Sequence, residues 1–237
     1  MTIYLVKYRP LNSTPEGQRA IMQLNILPYV DGSCRREPDM ECEFPSISAL
    51  CRGELFAPNL IEGDEVVYIT TKNLYGEPFW HRRIIARLKV FKRFGSHLEA
   101  AAWYRRNVGK LPSNCMVAGN PPLPLNHTSR GTSNCAPGCG TAAATLKQWN
   151  EHYQKRADNF PVFLACKTVW KELASPAILT DQAAFKILKS WARVRSRAPI
   201  KITDAELKAL ESLRLIQKNP KKLSGIKQNP RSARREA

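Results

Sequence analysis

The sequence predicts an α+β fold: a small, strongly curved sheet or partly open barrel with an inserted helix, and further helices packed on it. Three observations lead there. Residues 1–170 carry short β-branched and aromatic runs separated by Gly, Pro and Asn turns. One strongly capped helix interrupts them, and the regular strand–helix alternation of a doubly wound parallel sheet is missing. After residue 170 the apolar spacing turns helical. This divides the chain into a sheet-bearing domain at 1–170, a helical extension at 171–216 and a basic tail at 217–237 that is expected to be disordered.

Taken in order, Thr2 to Tyr8 is a strand closed by Arg9-Pro10. Gln18 to Pro28 suits a short helix or a second strand equally well. Asp31 to Gly53 (DGSCRREPDMECEFPSISALCRG) is too polar and irregular for a core, and reads as a surface or binding loop. Within it, Ser46 to Arg52 suits a helical turn or two behind Pro45. Glu65 to Thr71 is a strand after the Gly63-Asp64 turn, and Asn73 to Trp80 is an aromatic loop.

Arg83 to Phe94 alternates most cleanly. Ile84, Ala86, Leu88, Val90 and Phe94 share one face, broken only by Lys92, and Arg83, Arg87, Lys89 and Arg93 share the other with Ile85 and Phe91. Ser96 and Glu99 form a capping box for a helix that stops near Gly109. Cys115 to Ala118 reads as a short strand, 126–140 as a flexible loop, Ala142 to Ala157 as a helix and Pro161 to Cys166 as a strand. Thr180 or Asp181 caps a helix to about Ser196. Thr203 and Glu206 form a second capping box, for a helix to about Ile216.

The 37 Lys and Arg against 20 Asp and Glu give a net charge of +17. A chain so basic calls for a polyanion, of which nucleic acid is the commonest. Nothing suggests a spanning helix or a signal peptide, so no membrane partner is expected. Seven irregularly spaced cysteines fit reduced thiols and a cytoplasmic setting better than a disulfide framework.

Three constellations bear on chemistry. Arg82, Arg83, Arg87, Lys89, Arg93, Arg105 and Arg106, with Lys110, would contact a nucleic-acid backbone, because alternate strand residues recur about every 6.6 Å. The aromatics nearby (Tyr68, Tyr75, Phe79, Trp80, Trp103, Tyr104) offer bases a stacking surface; about two of them are expected to be exposed. Cys135 and Cys139 form a C-x3-C in a Gly/Pro loop that would hold zinc with two ligands from Cys34, Cys42, Cys115, His127 or His152, whereas Cys51 and Cys166 suit buried positions. Glu37, Asp39, Glu41 and Glu43, brought to one side of an extended strand, would hold Mg²⁺ for a nuclease or base-modifying enzyme. No nucleophile elbow, HExxH, P-loop or dinucleotide fingerprint is present, so no catalytic residue is assigned.

Asp31-Gly32-Ser33, Leu50-Cys51-Arg52, Gly63 to Tyr68 and Arg83 to Phe94, in this order, resemble the PUA-like superfamily. The likeness spans about residues 25–125. It is nearest the EVE/ASCH/YTH group and the nucleotide-modification-associated domains of phage and bacterial modification or antiviral defence systems. The resemblance implies a pseudo-barrel that binds RNA or modified DNA, with a flipped base in an aromatic-walled pocket. That pocket would lie among Asp31–Arg36, Tyr75–Trp80 and the turns at 112–115 and 119–120. Ser33, Asn114 and Asn120 would read base edges, Arg35 and Arg36 would stand at the mouth, and Trp80 would stack. The chain is accordingly expected to read a modified or flipped base without catalysis of its own. The alternatives are the metal-dependent enzyme above and a scaffold subunit that works with other defence or modification proteins and rests its tail on nucleic acid.

Overall fold

A computed structural model describes residues 1–129, 141–189 and 198–218. It is a mixed α+β structure built on one open sheet of seven strands. In chain order its elements are β1 (Ile3–Tyr8), α1 (Pro15–Leu24), β2 (Ser46–Ser48), β3 (Glu65–Thr70), β4 (Arg82–Phe94), α2 (His97–Asn107), α3 (Ala142–Asn159), β5 (Phe163–Lys171), β6 (Ala177–Leu179), α4 (Asp181–Ile187), β7 (Ile200–Ile202) and α5 (Asp204–Lys218).

The strand order is β2-β5-β4-β3-β1-β7, with β6 also on β4. β1 runs parallel to β3, and the other pairings are antiparallel. β5 and β6 lie on the same edge of β4: Lys171 pairs with Ala86 and Ala177 with Ile84, while 172–176 loops out between them.

The expected closure toward a barrel does not occur. The terminal strands β2 and β7 have three residues each and lie at opposite ends of the order. Both faces of the central strands are instead covered. Val6, Tyr8, Val66, Tyr68, Leu88 and Val90 pack on one side against Tyr29, Val30, Met40, Ile47, Phe56 and Leu60 from the connection between β1 and β3. Ile3, Leu5, Val67, Ile69 and Ile84 pack on the other against Ala184 and Leu188 after β6 and Leu207 and Leu210 of α5. Continuous apolar runs such as Ile3–Val6 and Val66–Ile69 follow from burial on both faces.

Several sequence expectations change for identifiable reasons. Strands do not end at residue 170: β6 and β7 join the same sheet, so 171–216 supplies strands as well as helices. Ser46 to Arg52 opens as a strand, because Ile47 pairs with Leu164 of β5 and the Glu37 carboxylate accepts the Ser48 N–H. Cys115 to Ala118 is a turn, curled by Asn120, whose side-chain amide donates to the carbonyls of Pro112 and Cys115. The helix after Thr180 ends at Ile187, and the Lys189 N–H goes to Glu206. Residues 190–196 of that expected helix lie outside the described residues, as do 130–140 of the expected loop and 219–237 of the tail.

The second capping box forms in full and the first by half. Ser96 Oγ accepts the Glu99 N–H, although Glu99 returns to Gly95. Thr203 and Glu206 accept each other's N–H groups at 3.3 and 2.7 Å.

Candidate functional site

The 31–53 segment is the centre of the site, and it is not a solvated loop. Residues 31–40 are all buried. Its polar side chains satisfy one another and the backbone, which makes burial of so many of them tolerable. Asp31 Oδ1 accepts from the Ser33 N–H at 2.9 Å and from the Ser33 hydroxyl. Gly32 donates to the Arg9 carbonyl, and its own carbonyl accepts from Ser129 N–H and Oγ at 2.8 and 3.0 Å. A Cβ on Gly32 would stand 2.0 Å from Ser129 Oγ, so this close approach requires glycine.

Glu37 is the most perturbed acid. Its carboxylate accepts from Ser48 N at 2.9 Å, from the Ser48 hydroxyl and from Asn114 Nδ2 at 3.0 Å. Burial nevertheless raises its pKa to about 8, against those three hydrogen bonds, and nearby Asp31 adds to the rise. Burial raises the Asp31 carboxyl too, opposed by Ser33.

A cavity of about 190 Å³ opens against this cluster. Asp31, Ser33, Glu37 and Ser129 contribute polar groups to its wall, with Tyr8, Cys51 and Thr71 beside them, and Lys7, Arg9 and Arg52 are its cations. The Lys7 amine is pushed below its ordinary pKa by burial, then by Arg82 and Arg52. Arg52 is fixed by donating to the Lys7 carbonyl. A second cavity, of about 240 Å³, is lined by other residues of the segment, Arg36, Asp39 and Glu41 among them, together with Lys110, Asn120 and His127.

The expected base-pocket residues separate accordingly. Ser33 lines the first cavity; Arg36 and Asn120 line the second. Arg35 is an internal clamp: Nε and one terminal nitrogen hold Asn150 Oδ1 at 2.9 and 2.6 Å, and the other donates to the carbonyls of Ser113 and Asn120. Arg36 binds Glu41 at 3.0 Å and the carbonyls of Asp31 and His127. Asn114 is buried between Glu37 and Ser46. Trp80 is 59% exposed and borders neither cavity, so the expected aromatic wall is not formed there. Phe79 and Trp80 are the exposed members of the six aromatics.

The expected backbone-binding cations also divide. Arg82 pairs with Asp181 at 2.6 Å, Arg83 with Glu77 at 3.2 Å, and Arg87 with Glu65 and Glu211 at 2.6 and 2.8 Å. The first half of the strand is therefore neutralised within the protein. Lys89, Arg93, Arg105 and Arg106 are exposed.

The acidic run does not converge on a metal. Glu37 turns to Ser48, Asp39 to the Ser113 N–H and hydroxyl, Glu41 to Arg36, and Glu43 to the surface. Extended-strand alternation fails because 37–43 is a run of bends, interrupted by the isolated bridge of Asp39 to Ser46. No group of three His, Cys, Asp or Glu suited to a metal occurs among the described residues. Cys135 and Cys139 lie outside them. Of the other candidate ligands, Cys34, Cys42 and Cys115 are buried free thiols, with burial pushing Cys42 and Cys115 up to about 12. His127 lines the second cavity and His152 is exposed. Cys166 is buried as expected, while Cys51 is half-buried at the first cavity.

Sequence reasoning missed Lys7, Arg9, Thr71 and Ser129 as cavity residues. A signal was present for two: Lys7 is the one cation within the first strand, and Arg9 ends it.

Compared with protein families, curated proteins and solved structures, the chain matches none of them. No helix among the described residues is long and apolar enough to cross a membrane.

Proposed function

We propose that this protein binds nucleic acid and admits one base, modified or flipped, to the cavity beside Asp31, Ser33 and Glu37. The observation that carries the reading is the pairing of polar wall and cationic residues. Buried hydrogen-bonding groups can select a small polar ligand by its pattern of donors and acceptors, and Lys7, Arg9 and Arg52 supply positive charge for the attached phosphates. At about 190 Å³ the cavity is smaller than the roughly 300 Å³ and upward of drug-sized ligand pockets, which favours a single heterocycle. The +17 net charge supports a polyanionic partner.

The PUA-like resemblance supports the same place. Two of the segments that carry it, Asp31–Ser33 and Leu50–Arg52, contribute residues to this one cavity although some twenty positions apart. A pseudo-barrel ancestry with an opened sheet, and a role in a modification or defence system, are part of this proposal. The metal-dependent enzyme reading has less behind it, because Glu37, Asp39 and Glu41 each face a different partner. The scaffold reading rests on the tail, outside the described residues.

The test is equilibrium binding to matched DNA and RNA oligonucleotides with and without modified bases. A preference for one base, abolished by filling the cavity with Thr71→Trp, is expected. Equal affinity for every base, in wild type and variant alike, would remove the cavity from the account.

A further inference from the structure

The two halves of β4 treat their cations differently. Arg82, Arg83 and Arg87 are each paired with an acid of the protein. Lys89, Lys92 and Arg93 are exposed and form no ion pair among the described residues, and neither does Lys167 of the neighbouring strand. Lys89 and Lys167 are direct cross-strand partners. Like charges so placed repel, and an anion bridging them relieves the repulsion.

An aromatic ring lies among these charges. Phe91 is 40% exposed, with Lys167 Nζ 4.4 Å from its ring centroid. Phe44 stacks on Phe91 at 5.8 Å with an interplanar angle of 29°, and Trp103 lies 6.3 Å away. The Phe91 ring is therefore held by Phe44 and Trp103 yet stays partly exposed, with the Lys167 ammonium over it as a cation that can turn to a phosphate.

We infer that the outer end of β4 and β5 is a second binding site, a platform on which single-stranded nucleic acid stacks a base on Phe91 while Lys89, Lys167 and Arg93 hold its phosphates. An aromatic face flanked by cations suits an unpaired base, since every base has a stacking face and a duplex hides it. The inference deepens the reading above by naming the strand state that is bound, and it uses no residue of the cavity.

Fluorescence anisotropy with a labelled twelve-nucleotide thymidine strand, the same strand made abasic, and a duplex tests it. The intact strand is expected to bind wild type about tenfold more tightly than the abasic strand does. Phe91→Ala should remove that advantage, leaving abasic binding unchanged, and Phe91→Tyr should restore it. Lys89→Glu with Lys167→Glu should weaken both strands. Thermal melting separates these effects from unfolding, and Phe91→Tyr keeps the test valid if Phe91→Ala is unstable. Equal binding of intact and abasic strands by wild type, or full binding by Phe91→Ala, overturns the platform and leaves the cavity reading standing. Absence of binding to all three overturns the platform, and the DNA and RNA panel with modified bases then decides the cavity reading by itself.

Discussion

Replacing Glu37 by Gln removes a buried carboxyl that holds a proton in the folded state and releases it in the unfolded one. The ordinary value is 4.5 and the folded value about 8, raised chiefly by burial. Its contribution to stability is therefore fully present below about pH 4.5 and is lost as pH rises toward 8. Between those values the folded state binds one more proton than the unfolded state, which costs about 1.4 kcal/mol of stability per pH unit. From pH 6 to pH 8 the loss is roughly 2–3 kcal/mol, and over the whole window roughly 4–5 kcal/mol.

Glu37→Gln abolishes this term but imposes its own cost. Ser48 N and Asn114 Nδ2 both donate to Glu37, so the amide nitrogen has only the Ser48 hydroxyl to face. About 1–2 kcal/mol is expected at pH 5 for that mismatch. The variant should be less stable than wild type at pH 5 and the more stable of the two by pH 8. Urea denaturation of both proteins at intervals from pH 5 to 9 reads this directly, since other titrating groups cancel in the difference. Parallel stability–pH curves would refute the reasoning.

Other perturbations follow from the same geometry. Arg35→Ala leaves Asn150 and two carbonyls without their donor in a buried setting, and should cost about 3–5 kcal/mol by denaturant titration. Gly32→Ala forces a methyl group onto Ser129 Oγ and should cost about 1–3 kcal/mol while also weakening ligand binding. Thr203→Ala breaks the α5 capping box, with about 1 kcal/mol lost in thermal unfolding and no change in binding.

Local rules read the chain well where local energetics decide. The Thr203–Glu206 capping box, the Ser96 cap, the β1, β3 and β4 strands and the helix over 142–159 were legible because each follows from spacing or caps within a few residues. What failed depended on distant partners. Ser46–Ser48 is a strand only because β5 lies beside it, and β7 is a strand only because β1 offers an edge. The polarity of 31–53 suggested solvent, yet Asp31, Arg35, Arg36 and Glu37 are buried, held by Ser33, Asn150, Glu41 and Ser48. Pairing of that kind is invisible in composition. The basic face of β4 was half right: a register shift at Ile85 puts Ile84 on the opposite side of the sheet from Leu88 and Val90, so strict alternation fails, and Asp181 and Glu211, which neutralise Arg82 and Arg87, come about a hundred residues later.

The central claim, phosphate contact at the rim of the Asp31–Ser33–Glu37 cavity, is tested most directly by the salt dependence of oligonucleotide binding. Wild type and the double variant Arg9→Ala with Arg52→Ala should be titrated between about 50 and 200 mM salt. Each lost single-strand phosphate contact lowers the slope of log K against log salt by about 0.7, so the double variant should bind more weakly with a slope shallower by about 1.4. Binding by wild type that ignores salt, or an unchanged slope in a folded double variant, would contradict the account.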